Sequence, residues 1–572
     1  MKKTSFVLIS AAFTLPAPAQ RDLKELPPVD AAAEKATFQM APGLEINLFA
    51  QEPLIAKPIQ MAWDEKGRLW VASSAIYPHI KPGQTQADKI VILEDTNRDG
   101  TADKSTVFYE GLLIPTGILP GDGGAYVANS TELLFMKDTN GDGRADQTKV
   151  LLSGFGTEDT HHILHSIKRG PDGCLYFAQS VYIHSRIETP YGVRELRGSG
   201  WWQYRPETGR LEVYSMGQVN PWGMVWDQWG QTFTTDGAYG EGINYTFPGA
   251  TFLCLPNQLP RILKGMNPGQ PKQAGLEIIS GRHFPDAWQG HMITNDFRGH
   301  RVNHFALKTE GSGFSSQQLE DVVASTHGSF RPVDTRMGPD GALYLADWFN
   351  PIIQHGEVDF HDARRDREHG RIWRITAKGR ALSPQPDYAK LGVAELLEQL
   401  KAPEDWIRIE TKQELKRRKV ADLEKQVLTR VKASGTSPNF VKEAIGLLET
   451  TRQLTAASPL LTTAAGDELQ AYAVRASGQL FREGQPGNAD LILRSVSSPS
   501  ARVRLEAVHA LRLMKDAKGV EQALLVLNAP MDENLDFALW LTCRELADLW
   551  LPAFQKGEIT FGGNVTQIAF AL

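Results

Sequence analysis

The chain has few of the residues that build redox centres. Its 572 residues include three cysteines, Cys174, Cys254 and Cys543. They are far apart and odd in number. No Cys-x-x-Cys pair is present for zinc, and the spacing does not suit an iron–sulfur cluster. No Cys-x-x-Cys-His is present either, so no haem is expected in this chain. Cys174 sits in a strand pattern and Cys543 in a helical one, where buried, inert thiols are expected. Positive charge is not in excess: the net charge is −6 and no basic run stands out, so nucleic acid is not an expected partner. Beyond the first twenty residues no run is long and apolar enough to span a bilayer.

The N-terminus carries an address. Met1-Lys-Lys is followed by the apolar run Ser5–Leu15 and by Ala17-Pro-Ala19. A charged start, a short apolar stretch and an Ala-x-Ala site predict a secretory signal peptide over 1–19, a buried N-terminal helix being the alternative. The expected location is periplasmic or secreted.

The rest is organised by a repeated turn and strand. Gly170-Pro-Asp-Gly-Cys-Leu-Tyr-Phe177 recurs almost unchanged as Gly338-Pro-Asp-Gly-Ala-Leu-Tyr-Leu345, and four looser copies mark glycines 67, 124, 230 and 290. Pro-Asp-Gly presets a tight turn and the apolar, aromatic tail reads as a buried strand. With Gly173 and Gly341, the six markers are spaced 49 to 60 residues apart, the step of a propeller blade. An all-β six-bladed propeller is therefore expected over 44–380. An extended leader covers 20–43. The strand Leu44–Ala50 is available to complete the last blade, because an open edge invites aggregation.

The motif also orients the blades. If each turn joins the innermost strand to the second, residues before the first and after the second ring one mouth of the channel. That places His162, His165, Gln179, Asn220, Asp236, His283, Asn295, Asp296, Arg331 and Asp347 at the top, as binding groups or as partners of neighbouring loops. His161, His162 and His165 form a cluster in which an imidazole can serve as general base, or be structural. The segment His355–His369 reads as a metal site or as an ion-paired loop.

Two acidic loops share a spacing. Asp95, Asn97, Asp99, Thr101 and Asp103 form one; Asp138, Asn140, Asp142, Arg144 and Asp146 form the other. Asp or Asn at positions 1, 3, 5 and 9, with Gly at 6, is calcium-loop spacing. The Glu of an EF-hand is absent, with Thr106 and Lys149 at position 12, so a β-hairpin version is expected, remote from the top mouth. Plain Asx turns are the alternative.

After a linker at 381–390, marked by Ser383-Pro-Gln-Pro386, the periodicity becomes helical. Ser498-Pro-x-x-Arg-Val-Arg-Leu-Glu-Ala-Val-His-Ala-Leu511 looks like a HEAT-type repeat. An all-α HEAT/ARM-like solenoid is expected over 391–572, with an irregular bundle as the alternative. Its last helical pattern, Val565–Leu572, ends while still apolar, as expected of a chain cut short or of one that docks a partner.

Two resemblances follow from these motifs. His162, seven residues before Gly170-Pro-Asp-Gly-x-Leu-Tyr, resembles soluble quinoprotein glucose/sorbosone dehydrogenases, six-bladed propellers in which that His is the base. The resemblance implies pyrroloquinoline quinone as cofactor, with Asn220 in Gln-Val-Asn-Pro-Trp-Gly as a contact. The preceding Arg of that family is Val219 here, and Arg331 is the cation available. Phe330-Arg-Pro-Val-Asp334, Asp347-Trp-Phe-Asn-Pro-Ile-Ile-Gln-His-Gly-Glu-Val-Asp359 and His369-Gly-Arg-Ile-Trp-Arg-Ile-Thr376 are similar to exported membrane-bound-dehydrogenase-like propeller proteins of planctomycetes and verrucomicrobia. Those carry HEAT-like repeats and a C-terminal cytochrome c, which this chain lacks. The resemblances imply an oxidoreductase acting on a sugar or other alcohol, passing electrons to an exported cytochrome c. The other class left open is a non-catalytic scaffold that binds a glycan or a protein.

Overall fold

The computed structural model describes residues 20–238, 242–253, 261–267, 272–354, 356–433 and 437–572. Residues 1–19, the expected signal peptide, lie outside the described residues, as do Cys254 and His355. Six sheets form a propeller. Their innermost strands are Pro58–Trp63, Pro115–Gly121, His165–Arg169, Pro221–Trp226, Gln273–Ile278 and Pro332–Met337. Each neighbours the next around a closed ring, the sixth packing on the first.

The repeated turn has a local cause. In blades three and six, Asp172 and Asp340 accept the N–H of the residue two positions on, at 3.0 Å each. Gly173 and Gly341 adopt φ of +83° and +80°, where a side chain would strain the backbone. In blade two the left-handed glycine is Gly123, φ +80°, one residue before the sequence marker Gly124.

The strand Leu44–Ala50 pairs antiparallel with Arg371–Ala377 and closes the ring on blade six. The leader is not extended throughout. It forms the helix Ala31–Lys35, capped by Asp30, and the strand Phe38–Met40 on the edge of blade five. Arg371 binds Glu34 at 2.6 Å with both side chains fully buried, so the leader is locked to the top of blade six.

Blade five departs from the sequence reading. Its innermost strand is Gln273–Ile278, so residues 279–291 turn at the bottom. His283, expected at the top mouth, lies at the bottom, between the main chain of Ala381 (3.0 Å) and Ala377 (2.9 Å).

The helices form a two-layer solenoid under the propeller. Asp405–Arg417, Pro438–Thr450, Asp467–Arg482, Ala501–Met514 and Glu533–Glu545 pack in series. This layer meets the bottom turns: Lys416 binds Asp122 at 2.7 Å, Arg205 binds Glu483 at 2.6 Å, and Arg475 donates to the Gly230 carbonyl. The helical layer therefore packs against the bottom turns of the propeller.

Candidate functional site

Every innermost strand shifts register within its first residues, for example between His165 and Lys168 and between Pro221 and Met224. Such bulges re-aim side chains at a sheet rim. In blade three the bulge holds Ser166 at φ +60°, a conformation costly for a non-glycine residue. The loop before it carries the histidine cluster.

At the top the channel widens into a cavity of about 420 Å³. Aromatic and apolar groups wall it: Trp222, Trp348, Phe297, Ile59 and Val333. The polar groups include Tyr77, His161, His162, Lys272, Gln273, Arg298, His300 and Arg365, with Glu357 as the carboxylate among the described lining residues. A concave pocket that combines aromatic and apolar walls with convergent polar groups is suited to a small molecule.

His162 lines the cavity with its ring edge-on to Trp222, centroids 5.7 Å apart. His161 lies beside it, its Nδ1 3.1 Å from Asp159. The Tyr77 hydroxyl donates to the His161 carbonyl at 3.2 Å. Burial raises the Asp159 carboxyl, but the His161 bond and the His162 charge outweigh it and hold Asp159 well below the usual carboxylate range.

His165 has a different environment. It is buried, and its ring nitrogens face the carbonyls of Ile163 and, at 2.6 Å, Pro221. It does not line the cavity. Burial lowers its pKa, against the opposing effect of the two carbonyls on its ring nitrogens, and the ring ties blades three and four together. Asn220 contributes main chain: its N–H donates to Asp236 at 2.9 Å and its carbonyl accepts from Gly237 at 2.8 Å. Arg331 is buried. It donates to the carbonyls of Asn350 (2.8 Å) and Phe297 (2.9 Å) and stands behind the cavity wall. Neither Asn220 nor Arg331 lines the cavity.

Most of the other expected mouth residues organise loops. Gln179 donates to Gly198 and accepts from Ser185. Asp236 accepts from Val219, Asn220 and Ala238; Asp347 accepts from Arg331 and Phe349; Asp296 accepts from Gly299 and Arg301. Asn295 is fully buried and outside the cavity lining.

The loop after blade six's second strand supplies Trp348 and Arg365. Lys57 donates to the Trp348 and Phe349 carbonyls at 2.7 and 2.9 Å and sits 4.5 Å over the Trp348 ring, fixing that wall. Burial pulls Lys57 down to about 8. Farther on, His369 pairs with Asp366 at 2.6 Å and Arg364 with Asp362 at 2.8 Å. Among the described residues no group of three or more His, Cys, Asp or Glu is placed to hold a metal, and the contacts described in this segment are ion pairs.

The two acidic loops lie at the bottom, between the third and fourth strands of blades one and two, and share one hydrogen-bond pattern. Asp95 and Asp138 accept from Gly100 and Gly143 at 2.8 Å. Asn97 and Asn140 accept from Asp99 and Asp142, which accept in turn from Thr101 and Arg144. Thr96 and Thr139 bind Asp103 and Asp146. These hydrogen bonds shape the loop backbone, and among the described residues no group of three or more His, Cys, Asp or Glu is placed to hold a metal.

Residues 31–260 and 269–379 match the family model described as a domain of unknown function, DUF7133. The chain belongs to the DUF7133 family. The DUF7133 domain thus starts at the leader helix and ends with the last strand of blade six. No curated protein matches the chain. Among solved structures, an oxidoreductase described as a glucose dehydrogenase from Thermus thermophilus is similar at 18% identity, covering 58% of this chain and 100% of that one, with TM-score 0.43. The PQQ domain of a pyranose dehydrogenase from Coprinopsis cinerea is 12% identical over 59% of this chain and 97% of that one, TM-score 0.41. A PQQ-bound aldose sugar dehydrogenase from Streptomyces coelicolor is 16% identical over 61% and 99%, TM-score 0.37.

Lys272, Arg298, His300, Tyr77 and Trp348 escaped the sequence reading. Lys272 had a usable signal. It immediately precedes an innermost strand, as Asn220 and Arg331 do, but Gln273–Ile278 carries no Pro-Asp-Gly turn to reveal that strand.

Proposed function

We propose that this DUF7133 protein is a dehydrogenase-like oxidoreductase for a sugar or other small alcohol, with His162 as general base in the top cavity. The observation that carries this reading is His162 itself, set against Trp222 in a cavity of about 420 Å³ and flanked by the Asp159–His161 pair. An imidazole titrates near neutrality and can take the hydroxyl proton as the carbinol carbon is oxidised. Trp222 limits the ring's rotation, and Asp159 fixes His161 through its Nδ1. Ile59, Val333, Phe297 and Trp348 keep the reacting carbon in a poorly hydrated space, where electrostatic interactions strengthen.

The donor set fits a planar, polyanionic cofactor of the pyrroloquinoline quinone type. Trp222, Trp348 and Phe297 offer ring faces and edges, and Lys272 and Arg298 offer positive charge. Such a quinone, when bound, supplies the two-electron acceptor that the side chains lack. We also propose export of the chain and reoxidation by a separate exported cytochrome c, as in the propeller–helical-repeat proteins it resembles.

Calcium at the two acidic loops is part of the same proposal. A carboxylate offers about four lone-pair sites. The one or two N–H groups that each accepts preshape the loop and leave oxygen capacity for an ion.

The aromatic walls also favour a second reading, a non-catalytic glycan-binding module. Dye-linked turnover separates the two. Reduction of an acceptor dye on aldoses or alcohols with added quinone is expected. Sugar binding without dye reduction under any quinone supplementation would leave the binding module as the function.

A further inference from the structure

The wall of the cavity facing blade five is unusual in charge. Lys272 precedes the innermost strand of that blade and Arg298 follows its second strand, and both line the cavity. They are close enough for the Arg298 charge to act on the Lys272 ammonium. Among the described residues neither makes a salt bridge. Asp236 also acts on Lys272, but its oxygens accept from the backbone of Val219, Asn220 and Ala238. Two like charges side by side repel: Lys272 is half-buried and Arg298 exposed, and burial and the Arg298 charge both lower the Lys272 ammonium. Other cations at the mouth are committed: Arg365 donates to the Asp359, Gln354 and Val358 carbonyls, and Arg331 to main chain behind the wall.

Gln273 supplies a second, independent observation. It follows Lys272 as the first residue of the innermost strand, lines the cavity and is fully buried. Neither its amide nitrogen nor its amide oxygen has a hydrogen-bond partner among the described residues. A buried amide with both ends unpaired costs stability unless something binds it. His300, also on this wall, is pushed down to about 4 by burial and by Arg331, so it stays neutral and does not complete an ion pair.

We infer that Lys272, Gln273 and Arg298 form a carboxylate-binding subsite, which anchors an acidic group of the cavity's ligand opposite the histidine cluster. The two cations neutralise the anion and the Gln273 amide donates to one of its oxygens. The carboxylate belongs either to the quinone cofactor or to an acidic sugar such as a uronate. The subsite rests on the cavity and not on catalysis, so it holds for a binding module as well.

The test is direct binding to the purified full chain, read by quenching of tryptophan fluorescence, since Trp222 and Trp348 line the cavity. The probes are pyrroloquinoline quinone, galacturonate and neutral galactose. Lys272→Met and Arg298→Gln are each expected to weaken the carboxylate probe that binds by about tenfold or more, with Lys272→Arg partly restoring it. Gln273→Leu should weaken it as well, and raising ionic strength should mimic the charge variants. Melting temperatures of the variants control for folding. Loss confined to the quinone assigns the subsite to the cofactor; loss confined to galacturonate assigns it to the substrate. Failure of both acids to bind the wild type, or equal binding by wild type and all variants, overturns the inference. Neutral-sugar turnover dependent on His162 can survive either result, so failure here is distinguishable from failure of the proposed function.

Discussion

Asp122 and Lys416 stand 294 residues apart in sequence and meet at 2.7 Å beneath the propeller. Asp122 also accepts from Tyr126 at 2.9 Å and pairs with Arg169 at 3.2 Å. One turn residue of blade two thus ties its own sheet, blade three and the helical solenoid together. Burial opposes the Asp122 charge, but Arg169 and Lys416 outweigh it and bring the carboxyl down to about 2.

A pH dependence follows from that shift. The folded value lies below the unfolded value of about 3.9, so the stabilisation is present above pH 4 and is lost as pH falls toward 2. Asp122→Asn should cost about 1–3 kcal/mol at pH 7. The gap to wild type should narrow steadily at lower pH. Urea unfolding at pH 7, 4 and 3 measures this, and a gap that does not change with pH would contradict the assignment.

Ring closure makes a second prediction. Ile46 is buried on the closing strand, opposite Ile375 and in the same core as Trp373. Ile46→Ala should lower stability by about 2–4 kcal/mol, the usual cost of a large-to-small core change. Because the strand also covers the edge of blade six, the variant should scatter light on warming before wild type does. Unchanged melting would show that the ring does not depend on this strand.

The acidic loops predict a metal response that activity does not enter. Calcium that binds only the folded chain raises its melting temperature. Millimolar calcium should raise the transition by several degrees and chelator should reverse it, with the effect reduced in Asp99→Ala and Asp142→Ala. A transition indifferent to calcium and chelator would leave both loops as Asx turns held by their own backbone.

The fold was legible in the sequence because the bottom turns repeat. An Asp that accepts the N–H two residues on and a left-handed Gly leave a local signature at Asp172-Gly173 and Asp340-Gly341. The mouth has no such signature. Asp236 and Asp347, at the ends of second strands, cap neighbouring loops, and His165 ties two blades through carbonyls. Nothing in their spacing distinguishes them from His162, which lines the cavity. Tyr77 and Trp348 reach the site from blades one and six, and only the closed ring brings such distant stretches to one wall. The packing of helices against the bottom turns was equally hidden. It depends on single side chains, such as Arg475 reaching the Gly230 carbonyl, that pattern alone does not reveal.

The most direct test of the account is the kinetics of His162→Gln on an aldose with added quinone and dye. The variant keeps a polar side chain beside Trp222 and removes the basic imidazole. Its kcat/KM should fall by about a hundred- to ten-thousand-fold, with melting temperature and sugar binding unchanged. Retention of wild-type turnover in His162→Gln would contradict the central claim.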